Sequence, residues 1–334
     1  MGTSFGVHYD PIPPKEYHKL LGVGINVNWA TFRWLEKTYW KYREMDITIP
    51  SYFADRGFST VRIRVRDIPP HQEVKELGIT YGEYVKTLIN DSLDAGLIPV
   101  VTLTAEKFRK NPNGETLDYT VKVWERWAEY LKDTPYEVSY DLIIETSGRI
   151  SRKYDILNEF YQKVVPAIRR IDPHRILFLT PPVISRPYYL KYLKLPENDP
   201  YVMVEWHFFA AGPSPKNKPK KWTTGTPAER ENILNQIKYA RQWCDAHHVY
   251  CWVGAWMPSN WNKVNRKAKY PDGSPGGGSY SREQIYEFSR FMAKSLREYG
   301  FPYAINADTK FFDYKRLEWY PSLERILDVI INPY

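Results

Sequence analysis

Short runs of apolar, β-branched residues alternate with longer stretches of helical period about eight times along the chain. Such alternation predicts strands and helices taking turns in a parallel α/β architecture. The strands are expected at Leu20–Val27, Thr60–Val65, Ile98–Thr104, Ser139–Glu145, Arg175–Leu179, Met203–Phe208, Tyr250–Ala255 and Tyr303–Asn306, and the clearest helices at Tyr81–Ala95, Leu117–Lys132, Ile156–Arg170, Ala228–Ala246 and Arg282–Tyr299. Eight strands with helices between them is the count of a (β/α)8 TIM barrel. Its 334 residues fit one such domain spanning residues 1–334. Asp172-Pro173 and Gly300-Phe301-Pro302 stop helices where the next strand must begin.

Two connections are too long for simple turns: Phe209–Pro227, rich in Lys and Pro, and Trp256–Tyr280, with Gly273 and Gly276-Gly277-Gly278. Each follows a strand, so each is expected on the face of a barrel where catalytic residues sit, as a wall or lid. Strand and helix continue in step beyond both, which argues against a second domain.

The net charge is +8, but Lys and Arg are dispersed apart from Lys216–Lys221, so no nucleic-acid partner is expected. No apolar run approaches the ~20 residues of a membrane span. Aromatic content is high, with 12 Trp, 27 Tyr and 14 Phe. Such rings fill cores and also stack on the apolar faces of sugars. High charge, many prolines and only two cysteines suit a heat-stable protein. Cys244 and Cys251 are read as buried free thiols in preference to a disulfide. Adjacent His247 and His248 point in different directions, a poor geometry for a metal, and neither metal nor cofactor is expected.

Barrel chemistry belongs to strand ends, and two stand out here. Val138-Ser139-Tyr140-Asp141-Leu142-Ile143-Ile144-Glu145 ends in a carboxylate, with Leu142, Ile143 and Ile144 as apolar neighbours able to keep a general acid protonated. Tyr250-Cys251-Trp252-Val253-Gly254-Ala255 ends in alanine. Retaining glycosidases need two carboxyl groups about 5 Å apart, one as acid/base and one as nucleophile. Here one is present.

The chain resembles glycoside hydrolase family 5 of the clan A barrel glycosidases, the family of many cellulases and mannanases. The resemblance runs over essentially the whole length, through Gly24-Ile25-Asn26 with Trp29, Arg56 to Ile63, Ile144-Glu145-Thr146, Trp206-His207-Phe208-Phe209 and Val253-Gly254-Ala255-Trp256. It implies Glu145 as acid/base, Ala255 at the nucleophile position, and Arg62 and His207 beside the substrate. It also marks departures: Ile144 replaces an asparagine, Thr104-Ala105 a histidine, Phe209 a tyrosine, and no tryptophan occupies the eighth strand at Ala304-Ile305-Asn306.

The expected function is a retaining endo-β-1,4-glucanase, a monomeric extracellular protein acting on a polysaccharide or oligosaccharide. At the nucleophile position Ala255 disables turnover, first read as an engineered replacement of a catalytic glutamate. The alternatives are a non-catalytic carbohydrate-binding barrel and a related β-glycosidase or mannanase. Glu205, on the same strand face as His207, is a further nucleophile candidate, expected one layer deeper. Glu145 also reads as a salt-bridged strand end, Arg62 as a structural tie and His207 as a satisfied core histidine. Trp29, Trp206, Trp256, Trp261 and Phe209 lie near strand ends as possible sugar platforms, with Trp206 the one expected to face the helices.

Overall fold

In the computed structural model, which describes residues 8–209, 222–258, 269, 271–275 and 281–334, eight strands close into a parallel barrel. They are β1 (Val23–Ala30), β2 (Thr60–Val65), β3 (Ile98–Leu103), β4 (Ser139–Asp141), β5 (Leu177–Leu179), β6 (Val202–Phe208), β7 (Cys251–Trp256) and β8 (Tyr303–Asn306). Each pairs with its sequence neighbours, and β1 closes the ring by pairing with both β2 and β8. The predicted helices form at Tyr81–Asp94, Gly114–Leu131, Tyr154–Arg169, Pro227–Ala246 and Arg282–Glu298. Several begin with reciprocal caps, such as Thr80 with Glu83 and Ser281 with Gln284, which satisfy amides that the first helical turn leaves open.

Side chains pointing into the barrel form layers, as the alternation of a strand requires. At the bottom, Ile98, Val100, Phe178, Met203, Trp252 and Ala304 make an apolar plug that packs on Tyr17 and Leu21. Above it lies a polar layer of Asn26, Arg62, Asp141 and Glu205, all inaccessible to solvent. Burying so many polar groups is tolerable only because they bond one another.

Several boundaries differ from those read in the sequence. Leu20 and Leu21 finish a helix, Pro14–Leu21, and Gly22 at φ 47° turns the chain into β1. A Cβ there would sit 2.6 Å from the Ser59 hydroxyl, so only glycine fits both the turn and the space. Strand β4 stops at Asp141, and the chain reaches Glu145 in irregular backbone still pinned by Ile144 N–H to the Leu103 carbonyl at 3.0 Å. The cysteines are not free thiols. Cys244, near the end of its helix, and Cys251, at the start of β7, form a disulfide with Cα atoms 6.4 Å apart, because the short turn between the elements brings them within bridging range.

Trp261, Lys216–Lys221 and most of the two long connections fall outside the described residues. Among the described residues, no helix is long and apolar enough to cross a membrane.

Candidate active site

Arg62 organises the site from the centre of the barrel. Its Nε donates to Asp141 Oδ2 at 2.7 Å, and Nη2 donates to the same oxygen, to the Ile144 carbonyl at 2.9 Å and to Glu205 Oε1 at 3.3 Å. Nη1 reaches Asn26 Oδ1 at 3.3 Å and His207 Nε2 at 3.2 Å. Burial disfavours its charge, but Asp141 and Glu205 outweigh that and raise its pKa. The guanidinium is therefore a permanent cation in the core. The Asp141 pKa is raised as well, to about 6, chiefly by burial, which favours its neutral form against the pull of Arg62.

His207 links this buried layer to the mouth. Its Nε2 lies 2.9 Å from Glu205 Oε2 and its Nδ1 lies 3.4 Å from Glu145 Oε2. Burial lowers its pKa, yet the carboxylates on both sides prevail and the net shift is upward. Glu145 shows the reciprocal effect. Burial favours its neutral form, but the hydrogen bond and charge of His207, aided by Ser147 and Arg109, pull its pKa down to about 2. The apolar neighbours Leu142 and Ile143 face the core and do not keep this acid protonated. Glu145 is an ionised carboxylate at neutral pH, with a quarter of its side chain open to solvent.

Ala255 stands beside His207 across the β6–β7 ladder, and β7 carries one extra residue just before it. Trp206 pairs with Val253 and His207 with Ala255, while on the other side Tyr303 pairs with Val253 and Ile305 with Trp256. Both registers skip Gly254, which marks a bulge there. The bulged position is crowded: a Cβ on Gly254 would lie 2.2 Å from Glu205 Oε2. Only a glycine lets the buried carboxylate pass, and the Gly254 carbonyl accepts from Asn26 Nδ2 at 2.9 Å. Glu205 itself has no solvent access, so it is a tie for Arg62 and His207 and cannot reach a sugar.

The structure brings Glu145, Arg62, His207 and Ala255 together and places Phe209, half-buried, edge-on to the His207 ring at 5.9 Å. Trp29 and Trp256 are corrections. Both are fully buried on the helix side of the barrel: Trp29 packs on Tyr39 and Phe53 and donates to the Tyr314 hydroxyl at 2.7 Å, and Trp256 packs on Phe288 and Tyr303. Neither ring can meet a ligand. Trp206 is buried against Phe208 and Phe301, on the helix side as expected. The exposed rings near this end of β1 are Phe32 and Trp34, at 43% and 52%.

A second polar layer, missed in the sequence, lies at the mouth. Arg64 follows Arg62 on the same face of β2 and donates to Asn28 Oδ1 at 2.9 Å and to Asn306 Oδ1. Asp308 accepts from the Asn28 amide at 3.2 Å, its Nδ2 at 2.8 Å and the Tyr314 hydroxyl at 2.5 Å. Arg109 donates to the Thr104 carbonyl at 3.0 Å. The signal was present in the alternation: Asn26 and Asn28, Arg62 and Arg64, and Glu205 and His207 are polar pairs two apart in otherwise apolar strands.

A sequence model of the cellulase family, glycosyl hydrolase family 5, matches residues 23–272. The chain belongs to glycosyl hydrolase family 5. Among curated proteins, this family 5 chain is similar to Endoglucanase H of Acetivibrio thermocellus, at 21% identity over 273 residues, which is 78% of this chain and 28% of that protein. A beta-xylosidase of Phanerodontia chrysosporium matches at 25% over 145 residues, 42% of this chain and again 28% of the relative. The chain thus spans under a third of the length of these curated relatives. In three dimensions it resembles a hyperthermophilic endo-beta-1,4-glucanase solved in complex with substrate, at TM-score 0.73, 22% identity, and coverage of 95% of this chain and 99% of that one. It likewise resembles endoglucanase Cel5A of Thermotoga maritima, at TM-score 0.74, 18% identity, and coverage of 95% and 100%.

Proposed function

We propose that this family 5 barrel is directed at β-1,4-linked glucan, with Glu145 as the acid/base residue of an endoglucanase site, and that Ala255 stands in place of the carboxylate nucleophile. The observation that carries this reading is the pairing of Glu145 with His207 at the carboxyl ends of the strands, on the side where the bulged β7 presents residue 255. In a retaining reaction the second carboxylate attacks the anomeric carbon and forms the covalent intermediate. Alanine has no atom to do so. The chain as it stands then binds an oligosaccharide without cleaving it, since contacts remote from the reacting bond do not depend on the nucleophile.

Sugar rings would stack on Phe209, Phe32 and Trp34, which among the described residues near this end of the barrel keep exposed surface. Location outside the cell accords with the disulfide, since such bonds persist in oxidising surroundings. The protein would act there as a monomer on polysaccharide. The test is Ala255→Glu, assayed on carboxymethylcellulose, mannan, xylan and aryl glycosides. Hydrolysis of carboxymethylcellulose is the expected outcome. Cleavage of only mannan or xylan would reassign the substrate, and no cleavage of any, with oligosaccharide binding retained, would leave a carbohydrate-binding barrel.

A further inference from the structure

Glu145 lies beyond the last paired residue of β4, and what holds its backbone is found on the residues either side of it. Ile144 donates its amide to the Leu103 carbonyl at 3.0 Å, and its own carbonyl accepts from Arg62 Nη2 at 2.9 Å. Thr146 is bound more heavily. Its amide donates to Ser185 Oγ at 3.3 Å, its carbonyl accepts from the Ile184 amide at 3.0 Å, and its hydroxyl donates to the Pro181 carbonyl at 2.7 Å while accepting from the Ser185 amide at 2.9 Å. Every polar atom of Thr146 is thus paired, and all the partners lie on one segment, residues 181–185, just after β5. Thr146 and Ser185 have no solvent access, so water cannot replace these bonds.

That segment holds a conformation its own residues resist. Val183, Ile184 and Ser185 stand in succession at φ 57°, 60° and 54°, the left-handed region, where a Cβ crowds the following carbonyl and a β-branched residue is the worst placed. A run of this kind persists only where its surroundings over-determine it, and such strain gathers at functional sites. Here the surroundings are Thr146 on one side and, at the start of the segment, Thr180, whose amide and carbonyl both bond the Tyr161 hydroxyl, at 3.1 and 2.9 Å. The strained turn is therefore tied directly to the residue that follows Glu145.

We propose that Thr146 is the positioning residue of Glu145, clamping its backbone to the left-handed Val183–Ser185 turn so that the carboxylate meets His207. This rests on the reading of Glu145 given above and adds the part that aims it. The contact it serves tolerates little movement: Glu145 Oε2 is 3.4 Å from His207 Nδ1, near the outer limit of a hydrogen bond, so a small backbone shift opens it. The hydroxyl is what the clamp requires, because one atom both donates and accepts across the turn. Valine has the same shape and can do neither.

Thr146→Val deletes the hydroxyl and Thr146→Ser keeps it. Carbon-13 NMR of labelled glutamate δ-carbons in the whole protein reads the Glu145 titration without turnover or a bound sugar, and urea unfolding reads stability beside it. The other groups that act on this carboxylate, namely His207, Ser147, Arg109, Arg62 and Arg64, are untouched by either substitution. Glu145 titrates at about 2 in the parent; in Thr146→Val it should rise by roughly one unit or more, as the bond to His207 opens and burial takes over, and in Thr146→Ser it should stay with the parent. A merely structural threonine would lower the urea midpoint and leave the titration where it was. That result, or a serine variant that titrates like the valine one, overturns the positioning role while the reading of Glu145 stands. Should Thr146→Val not fold, Ser185→Ala removes the acceptor of the Thr146 amide and should move the titration in the same direction by less; no movement overturns the role equally. A parent whose Glu145 titrates near its ordinary 4.5 overturns both this role and the pairing with His207 on which the proposed function stands.

Discussion

His207→Gln isolates what holds Glu145 ionised. Glutamine keeps a polar group near the place of Nε2, beside Glu205 and Arg62, and removes the Nδ1 that lies 3.4 Å from Glu145 Oε2. The pKa of Glu145 is depressed from 4.5 to about 2 against the effect of burial, with His207 the main opposing cause. That difference corresponds to about 3 kcal/mol of favourable interaction with the charged form, an upper figure because a quarter of the side chain meets solvent. With His207 gone, burial dominates, and the Glu145 pKa should return to or above 4.5.

Stability should follow in a defined window. A depressed carboxylate stabilises the fold above its unfolded value and loses that contribution as pH falls towards 2. A raised histidine stabilises the fold below its ordinary 6.5 and loses its contribution as pH climbs through the folded value. The gap in unfolding free energy between parent and variant should therefore be widest between pH 4.5 and 6.5 and narrow on both sides. Carbon-13 NMR of labelled glutamate δ-carbons reads the titration, and urea unfolding followed by tryptophan fluorescence reads the stability. A parent Glu145 titrating near its ordinary value, or one still near 2 in the variant, would refute the coupling.

Gly254→Ala should destabilise the barrel by about 2 kcal/mol or more, because the new methyl group meets the buried Glu205 carboxylate at 2.2 Å and the bulge cannot relax without moving Ala255; an unchanged melting temperature would contradict this. Cys244→Ser opens a bridge between residues seven apart and should cost about 2.5 kcal/mol on a chain-entropy estimate, read by urea unfolding. Thiol titration of the unreduced, denatured parent should find no free cysteine.

The barrel was legible because strand runs and helical periods are long and distinct, and the boundaries of the five helices read from the sequence agree within three residues. The helices Arg33–Glu44 and Ile49–Arg56 were not. The first is crowded with charged and aromatic side chains that blur its apolar face, and Pro50 reads as a breaker although it occupies the first turn, where proline is tolerated. At the site, Glu145, Arg62 and His207 were readable from strand order and residue type. Trp29 was misplaced although parity predicts its side, since Asn26 and Asn28 point inward and the residue after them must point out. Trp256 was harder. The bulge at Gly254 shifts parity within β7, and the carboxylate that fills the space beside it comes from another strand, which no local pattern announces.

The same carboxylate bears on what residue 255 can be. Glu205 and Asp141 already share Arg62, and Phe209 packs an apolar ring on His207 where the resemblance leads one to expect a hydroxyl supporting the nucleophile. A glutamate placed at 255 would add a further negative charge to a neighbourhood whose deep cation is committed, and its repulsion would act on Glu145. That is the direction a general acid requires, away from a pKa near 2 and towards the working pH. The ionisation of Glu145 and the identity of residue 255 are therefore one question. If Glu145 titrates higher in Ala255→Glu and hydrolysis appears with it, the site is a family 5 catalytic pair missing one member. If Glu145 stays near 2 and nothing is cleaved, its carboxylate serves His207, and the mouth of this barrel is built to hold a sugar rather than to cut one.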